Sequence, residues 1–211
     1  MNNFGKIGGI SAILEATIYV SAFIFYGAIF EFPVDADSTQ KFIFLANNQV
    51  ILSVVNLIMY VLFGVILAVL VLALHERLKG KTPALSQLAV VFGVIWVGLV
   101  IASGMIANIG LNAAIELSAN DPEKAMTVWI SISSIVEGLG GGNEMVGGLW
   151  VLLLSIAALK GNELSKTLNY FGLLVGSAGI LTVYPADVLT EIFGLSQIIW
   201  FVWLGSHMLR S

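Results

Sequence analysis

The sequence predicts an all-α membrane protein, a bundle of six transmembrane helices with both termini in the cytoplasm. The first observation is composition: of 211 residues, 58% are apolar and 10% are charged, and the mean hydropathy is +0.98. Soluble domains average about 45–50% apolar and about 25% charged residues. The second observation is that apolar residues form sustained runs without the strict alternation of a membrane barrel, and such runs satisfy their backbone hydrogen bonds in lipid as helices.

Six apolar runs reach the roughly 20 residues that a membrane span requires. The first contains Glu15 and exceeds the length of a signal-peptide core, which favours a spanning helix. No linker, repeat or low-complexity tract divides the chain, so residues 1–211 are predicted to form one domain. The predicted spans are residues 7–30, 50–74, 85–111, 126–159, 168–184 and 191–209.

The basic residues predict the orientation of the bundle. If six spans are threaded in order, only Lys41 and Lys124 fall on the side opposite the amino terminus. By the positive-inside rule, both termini are therefore cytoplasmic. The formal net charge is −4, and the basic residues do not form a continuous basic face, so nucleic acid is not an expected partner. The expected partner is the lipid bilayer. The other basic positions are Lys6, Arg77, Lys79, Lys81, Lys160, Lys166 and Arg210.

The fourth run is too long for a straight span. Its 34 residues would extend about 50 Å as a helix, against a hydrocarbon core of about 30 Å. The sequence Asp121-Pro122-Glu123 is typical of a helix start, and consecutive glycines predict a kink at residues 140–142. Gly138 and Gly148 fit close helix packing better than ligand binding. In the loop before the second span, Asp37 or Ser38 is expected to cap a short surface helix.

Two glutamates within residues 136–148 mark the candidate site. Counting helical rise from the cytoplasmic ends places Glu144 and Glu15 inside the apolar layer and Glu137 near the outer interface. Intramembrane carboxylates are functional by default, although each of these also has a structural interpretation as a hydrogen-bonding group between helices. For Glu137, a solvated interfacial role is favoured.

The same counting gathers several polar side chains into the outer half of the bundle. It predicts an outward-facing pocket centred on Glu144 that binds a small solute or protons. Glu15 with Tyr19 and Trp96 would form the floor of this pocket or a separate buried contact. The predicted lining is Glu137, Asn143, Glu144, Asn56, Asn108, Asn112 and Tyr184.

Several other chemistries have no support in the sequence. The chain has no cysteine, hence no disulfide or thiolate nucleophile, and no lysine within a span to form a Schiff base. His75 and His207 lack the spaced ligands of a metal site. No catalytic constellation is visible, so an enzyme is not favoured, and no cofactor is indicated. Trp129, Trp200 and Trp203 are interpreted as interfacial anchors.

Two segments carry a resemblance to a known group. They are Lys6-Ile7-Gly8-Gly9 and the glycine-rich residues 169–179, Asn-Tyr-Phe-Gly-Leu-Leu-Val-Gly-Ser-Ala-Gly. They resemble segments of small bacterial six-helix membrane proteins classed as a domain of unknown function, over most of the chain. That group has arginine where this chain has Lys6 and Lys166. The resemblance implies a bacterial cytoplasmic membrane and supplies no activity.

The residues leave three classes of function open. The first is a protein that binds or transports a small solute or protons at Glu144. The second is an accessory or assembly subunit of a larger membrane complex or homo-oligomer, which the glycine-rich faces favour. The third is a membrane enzyme or lipid-binding protein that takes an apolar substrate into the pocket, with Glu144 as acid or base.

Overall fold

The computed structural model describes residues 3–141, 144–184 and 186–210, and throughout that part of the chain the regular elements are helices. The all-α class is therefore confirmed. A π-helical turn, Glu137–Gly141, follows the fifth helix. The helices are α1 (Asn3–Ile29), α2 (Ser38–Asn47), α3 (Gln49–Leu78), α4 (Pro83–Ser118), α5 (Pro122–Val136), α6 (Met145–Gly161), α7 (Lys166–Leu181) and α8 (Asp187–Arg210).

Within the described residues, five stretches are long and apolar enough to cross a membrane, by length and composition. They are α1, α3, α4, the run Pro122–Gly161 that contains α5 and α6, and α8. The remaining predicted span, residues 168–184, corresponds to α7, whose 16 residues rise about 24 Å, which is less than a hydrocarbon core of about 30 Å. The apolar helices are those of a membrane protein, with five candidate spans.

The long helices pack antiparallel in a closed circuit. In sequence order, α1 contacts α3, α3 contacts α4, α4 contacts α5 and α6, α6 contacts α7, α7 contacts α8, and α8 returns to α1. The direction is clear at Gly8, near the start of α1, which faces Ala73 near the end of α3 and Met208 near the end of α8. The main hydrophobic core lies inside this circuit, and a second, smaller buried cluster lies among α2, α3, α4 and α5.

This antiparallel order separates the charges into two ends. The start of α1, the α3–α4 and α6–α7 connections and the end of α8 lie together; this is the basic end. It holds Lys6, Arg77, Lys79, Lys81, Lys160, Lys166 and Arg210. The opposite, acidic end holds Glu31, Asp35, Asp37, Glu116, Asp121, Glu123, Asp187 and Glu191 together with Lys41 and Lys124.

Helices α6 and α7 touch through their backbones. A Cβ added to Gly148 would lie 2.6 Å from the Ile180 nitrogen and 2.7 Å from the Gly176 oxygen. Small residues permit such close approach between membrane helices, so the packing role predicted for Gly148 is confirmed. The same prediction for Gly138 is wrong, because that residue is exposed and a Cβ on it would meet nothing within 4 Å.

The helical run Pro122–Gly161 is interrupted inside the bundle. Gly140 has φ 125° and ψ 19°, a left-handed region that glycine enters without the steric penalty of a Cβ. The interruption lies within the predicted kink at 140–142, of which Gly142 is outside the described residues. Helix α6 then begins afresh at Met145 with Glu144 as its N-cap residue.

The two predicted helix starts in the loops are confirmed. Asp37 caps α2, since its Oδ1 accepts a hydrogen bond from the Gln40 amide at 2.8 Å. Asp121 caps α5 through the Lys124 amide at 3.0 Å. Both contacts satisfy a backbone donor that the first turn of a helix leaves free.

The interfacial role predicted for Trp200 is wrong. Its side chain is 1% exposed and packs against Trp150 with ring centroids 5.8 Å apart. The residue lies in the middle of α8 on the face that looks into the bundle, whereas Trp203, three residues on, is exposed. Because α8 is apolar on all sides, sequence does not distinguish these two faces.

Candidate binding pocket around Glu144

A cavity of about 390 Å³ lies among α1, α3 and α8, and Glu144 is part of its wall. Its rim contains exposed aromatic side chains of α1, Phe23 and Tyr26, near the acidic end. The lining is otherwise apolar and aromatic. It comprises Ile18, Tyr19, Ala22, Phe23, Tyr26, Gly27, Met59, Tyr60, Phe63, Val100, Gly140, Glu144, Thr190, Phe193 and Gly194.

Three contacts hold Glu144 in place. The indole Nε1 of Trp96 donates to Oε2 at 2.7 Å, and the hydroxyl of Tyr19 donates to Oε1 at 3.4 Å. The Glu144 backbone nitrogen donates to Oγ1 of Thr182 at 2.8 Å. Because an indole N–H is a donor only, Trp96 fixes its partner oxygen as an acceptor. The carboxyl group is thus oriented while further acceptor positions stay available toward the cavity.

The interrupted helix also affects the electrostatics of Glu144. As the N-cap residue of α6, it lies where the unpaired amides of a helix create a partial positive charge. Discontinuous membrane helices place such termini at ligand sites in the bundle interior. The break at Gly140 therefore brings both a carboxyl group and a helix terminus to the cavity wall.

Six aromatic side chains, here called the aromatic cluster, pack against one another in a closed circle, and two of them, Tyr19 and Phe63, also line the cavity. Successive ring centroids lie 5.4, 5.8, 5.6, 5.8, 5.5 and 6.3 Å apart around it, within the range of about 4.5–7 Å for favourable aromatic pairs. The aromatic cluster therefore joins the cavity wall to the buried core. In order around the circle, the aromatic cluster consists of Tyr19, Phe63, Trp96, Trp150, Trp200 and Phe201, which contacts Tyr19 again.

Glu15 is buried nearer the basic end than the cavity-lining residues of α1. It precedes Tyr19 by one helical turn, toward the basic end, and its side chain is 0% exposed. Neither carboxyl oxygen has a hydrogen-bond partner among the described residues, and Glu15 is absent from the cavity wall. Of the two arrangements expected for Glu15, the structure therefore has the separate buried position.

The polar residues predicted to line one pocket are divided among several places. Asn56 and Glu137 line a neighbouring cavity of about 450 Å³, in which Glu137 is exposed. Asn56 donates to Oδ1 of Asn108 at 3.0 Å and joins α3 to α4. Tyr184 is 69% exposed on the surface.

Asn112 is also exposed, away from the Glu144 cavity. It accepts a hydrogen bond from Gln49 at 3.0 Å and donates to Glu116 at 2.8 Å. Asn143 lies outside the described residues. Of the predicted lining, only Glu144 borders the 390 Å³ cavity among the described residues. The two cavities share Tyr26 and Tyr60, so they are adjacent at the acidic end.

Among the described residues, the cavity wall holds one carboxyl group and no basic side chain. None of the described lining residues is a lysine, arginine or histidine. Within the described part of the chain, no group of three or more His, Cys, Asp or Glu side chains could hold a metal ion. The ion pairs Arg77–Glu163 and Lys79–Glu76 lie at the basic end.

Sequence reasoning missed most of the cavity wall. The residues it missed in the wall include Tyr26, Tyr60, Phe193 and Thr190. It also missed Thr182, whose hydroxyl oxygen accepts a hydrogen bond from the Glu144 backbone nitrogen. A signal was available for the tyrosines, because Tyr26 and Tyr60 both fall in the halves of α1 and α3 nearer the acidic end. Rise counting applied to aromatic as well as amide side chains places Tyr60 near the level of Glu144, and Tyr26 between the levels of Glu144 and Glu137.

Fold and cavity together define an all-helical bundle with membrane-span helices and an internal carboxyl group facing an aromatic cavity. Comparisons of the chain with protein-family models, with curated proteins and with solved structures find no match.

Proposed function

We propose that this protein is a multi-pass membrane protein that binds, and in binding transports, a small solute at the Glu144 cavity. The observation that carries the proposal is the position of Glu144. Trp96 and Tyr19 orient its carboxyl group toward a cavity of about 390 Å³, a volume within the range of about 300–1,000 Å³ for small-molecule sites. An intramembrane ionisable group with such an opening is by default functional.

The proposal includes a topology of six spans with both termini in the cytoplasm. The segregation of basic residues supports this orientation, and α7 is a full member of the closed circuit of helices despite its shorter length. The resemblance to bacterial six-helix proteins supports the bacterial cytoplasmic membrane.

The natural absence of cysteine permits a direct test of topology. Lys166→Cys and Asp187→Cys place single thiols at exposed positions beside the two ends of α7. A membrane-impermeant thiol reagent should label Asp187→Cys in intact cells and Lys166→Cys only after permeabilisation. Labelling of both positions from the same side would contradict a sixth span.

Solute binding is tested with the full chain in lipid nanodiscs. A panel of cationic, anionic and neutral small molecules is titrated while tryptophan emission is recorded, since Trp96 contacts Glu144 directly. Glu144→Gln should weaken binding at least tenfold, which corresponds to about 1.4 kcal/mol. Glu191→Gln removes a carboxylate outside the cavity wall and should leave binding unchanged.

A second pair of variants tests the cavity independently of charge. Ala22→Phe places a large side chain in the wall, whereas Ala28→Phe makes the same change at an exposed position outside it. Loss of binding in the first and retention in the second are expected. If neither Glu144→Gln nor Ala22→Phe alters the binding seen with the wild type, the proposal is overturned. If both variants weaken binding, solute uptake by proteoliposomes distinguishes transport from binding alone.

Lipid binding is the second candidate. The observation in its favour is the rim, where Phe23 and Tyr26 are 40% and 44% exposed beside apolar walls. Elongated lipid density reaching Glu144 in an experimental map, together with displacement of that lipid by Ala22→Phe, would favour this candidate over a small solute.

A further inference from the structure

We propose that the Glu144 cavity selects hydrophobic organic cations with a single positive charge. This inference rests on the proposed function and specifies its ligand. Three features of the cavity carry it: a carboxyl group without a basic side chain beside it in the described lining, an aromatic wall, and the charge of the bundle end nearest its exposed residues Phe23 and Tyr26.

The charge of the wall disfavours anions. Glu144 is its one acidic residue among the described lining, and no basic residue accompanies it. Trp96 and Tyr19 donate hydrogen bonds to the carboxyl oxygens but carry no formal positive charge. A bound cation would supply the missing counter-charge, whereas a bound anion would face Glu144 in an apolar surrounding that strengthens the repulsion.

The aromatic wall disfavours a hydrated metal ion. Small inorganic cations require several oxygen ligands or their own water shell, and the described chain has no cluster of three acidic or histidine side chains. Aromatic faces instead attract organic cations, whose charge is weakly hydrated, through the cation–π interaction. The aromatic lining residues are Tyr19, Phe23, Tyr26, Tyr60, Phe63 and Phe193.

The approach to the cavity favours the same ligand class. Its exposed rim residues, Phe23 and Tyr26, belong to the part of α1 nearest the acidic end. That end carries eight acidic residues against Lys41 and Lys124. A surface of one charge sign raises the local concentration of ligands with the opposite sign and speeds their association.

A pair of ligands with the same shape tests the role of charge without any substitution. Benzyltrimethylammonium is a hydrophobic cation, and neopentylbenzene is its neutral carbon analogue. Isothermal titration of both into the wild-type chain in nanodiscs of zwitterionic lipid, with empty nanodiscs subtracted, should give at least tenfold tighter binding of the cation. Benzoate and glucose serve as anionic and polar neutral probes and should not bind.

Variants then assign the selectivity to its source. Glu144→Gln should reduce the affinity for benzyltrimethylammonium at least tenfold while it leaves the affinity for the neutral analogue unchanged. Glu76→Gln, at an exposed position of the basic end outside the cavity wall, should change neither affinity. Tyr60→Leu should weaken binding of the cation more than binding of the neutral analogue, because it removes an aromatic face. Circular dichroism and size-exclusion elution matching the wild type establish that each variant is folded.

The outcomes separate this inference from the proposed function. If neopentylbenzene, glucose or benzoate binds as tightly as the cation and that binding is lost in Glu144→Gln or Ala22→Phe, cation selectivity is overturned and solute binding stands. If no probe of any charge binds the wild-type chain, both are overturned. A cation that binds equally to wild type and Glu144→Gln also overturns the inference.

Discussion

Replacing Glu15 by methionine should make the protein more stable. Glu15 is fully buried, and both carboxyl oxygens lack a hydrogen-bond partner among the described residues. A buried polar group without a partner costs about 1–3 kcal/mol. Methionine has a similar length and adapts to irregular space, so Glu15→Met removes that cost without leaving a large cavity. Because the denatured chain of a membrane protein also remains in an apolar phase, we expect a gain of about 1–2 kcal/mol.

Unfolding of the full chain in mixed micelles by increasing fractions of dodecyl sulfate provides the assay, with helicity as the readout. Glu15→Gln should bring no gain, since an amide introduces donors at the same unpartnered position. Leu14→Met makes a comparable change at a neighbouring exposed residue and should be neutral. A loss of more than about 1 kcal/mol in Glu15→Met would refute the reasoning, because it would mean that the carboxyl group makes a favourable interaction in the folded protein.

Four further substitutions have expected outcomes in the same unfolding assay or in hydrogen exchange. Gly148→Ala should lower the free energy of unfolding by about 1–3 kcal/mol, because its Cβ would meet the α7 backbone at 2.6 Å. Gly138→Ala, with open space around it, should leave stability unchanged or raise it slightly. Equal effects of the two substitutions would contradict the packing described. Trp96→Phe should destabilise by about 2 kcal/mol or more through loss of the Glu144 hydrogen bond and of packing, and an unchanged midpoint would count against that contact. Asp37→Ala should weaken the start of α2 by about 1 kcal/mol, seen as faster amide exchange confined to that helix; unchanged exchange would exclude the cap.

The helices could be predicted from sequence because their causes are local. Sustained apolar runs predict the spans, and the capping side chains Asp37 and Asp121 mark two starts that the structure confirms. The exception is α7, whose predicted range 168–184 extends beyond its end at Leu181. Helix α7 ends with Thr182 as its C-cap residue, whose hydroxyl donates to the Gly179 carbonyl, although the apolar run continues beyond it.

The composition of the cavity could not be predicted, because rise counting gives depth and not the face of a helix. Asn56 and Glu144 were placed at similar depth, yet Asn56 faces Asn108 and the neighbouring cavity. Glu15, Tyr19 and Trp96 were expected to form one floor of the pocket or one separate contact. Tyr19 and Trp96 instead donate to Glu144, whereas Glu15 lies outside the cavity wall. Helices that are apolar all round carry no polar stripe to indicate which side faces the core, so tertiary packing decides these neighbours.

The backbone contact between α6 and α7 also constrains how this sequence can diverge. At Gly148, Gly176 and Gly179, a single methyl group would overlap backbone atoms of the facing helix. Substitution by alanine or serine at any of these positions therefore requires α6 and α7 to move apart. At Gly80 and Gly98 a Cβ would meet nothing within 4 Å. Homologous chains with this packing should therefore retain the first three glycines and vary freely at the last two, a pattern that an alignment of relatives would reveal without any experiment on the protein.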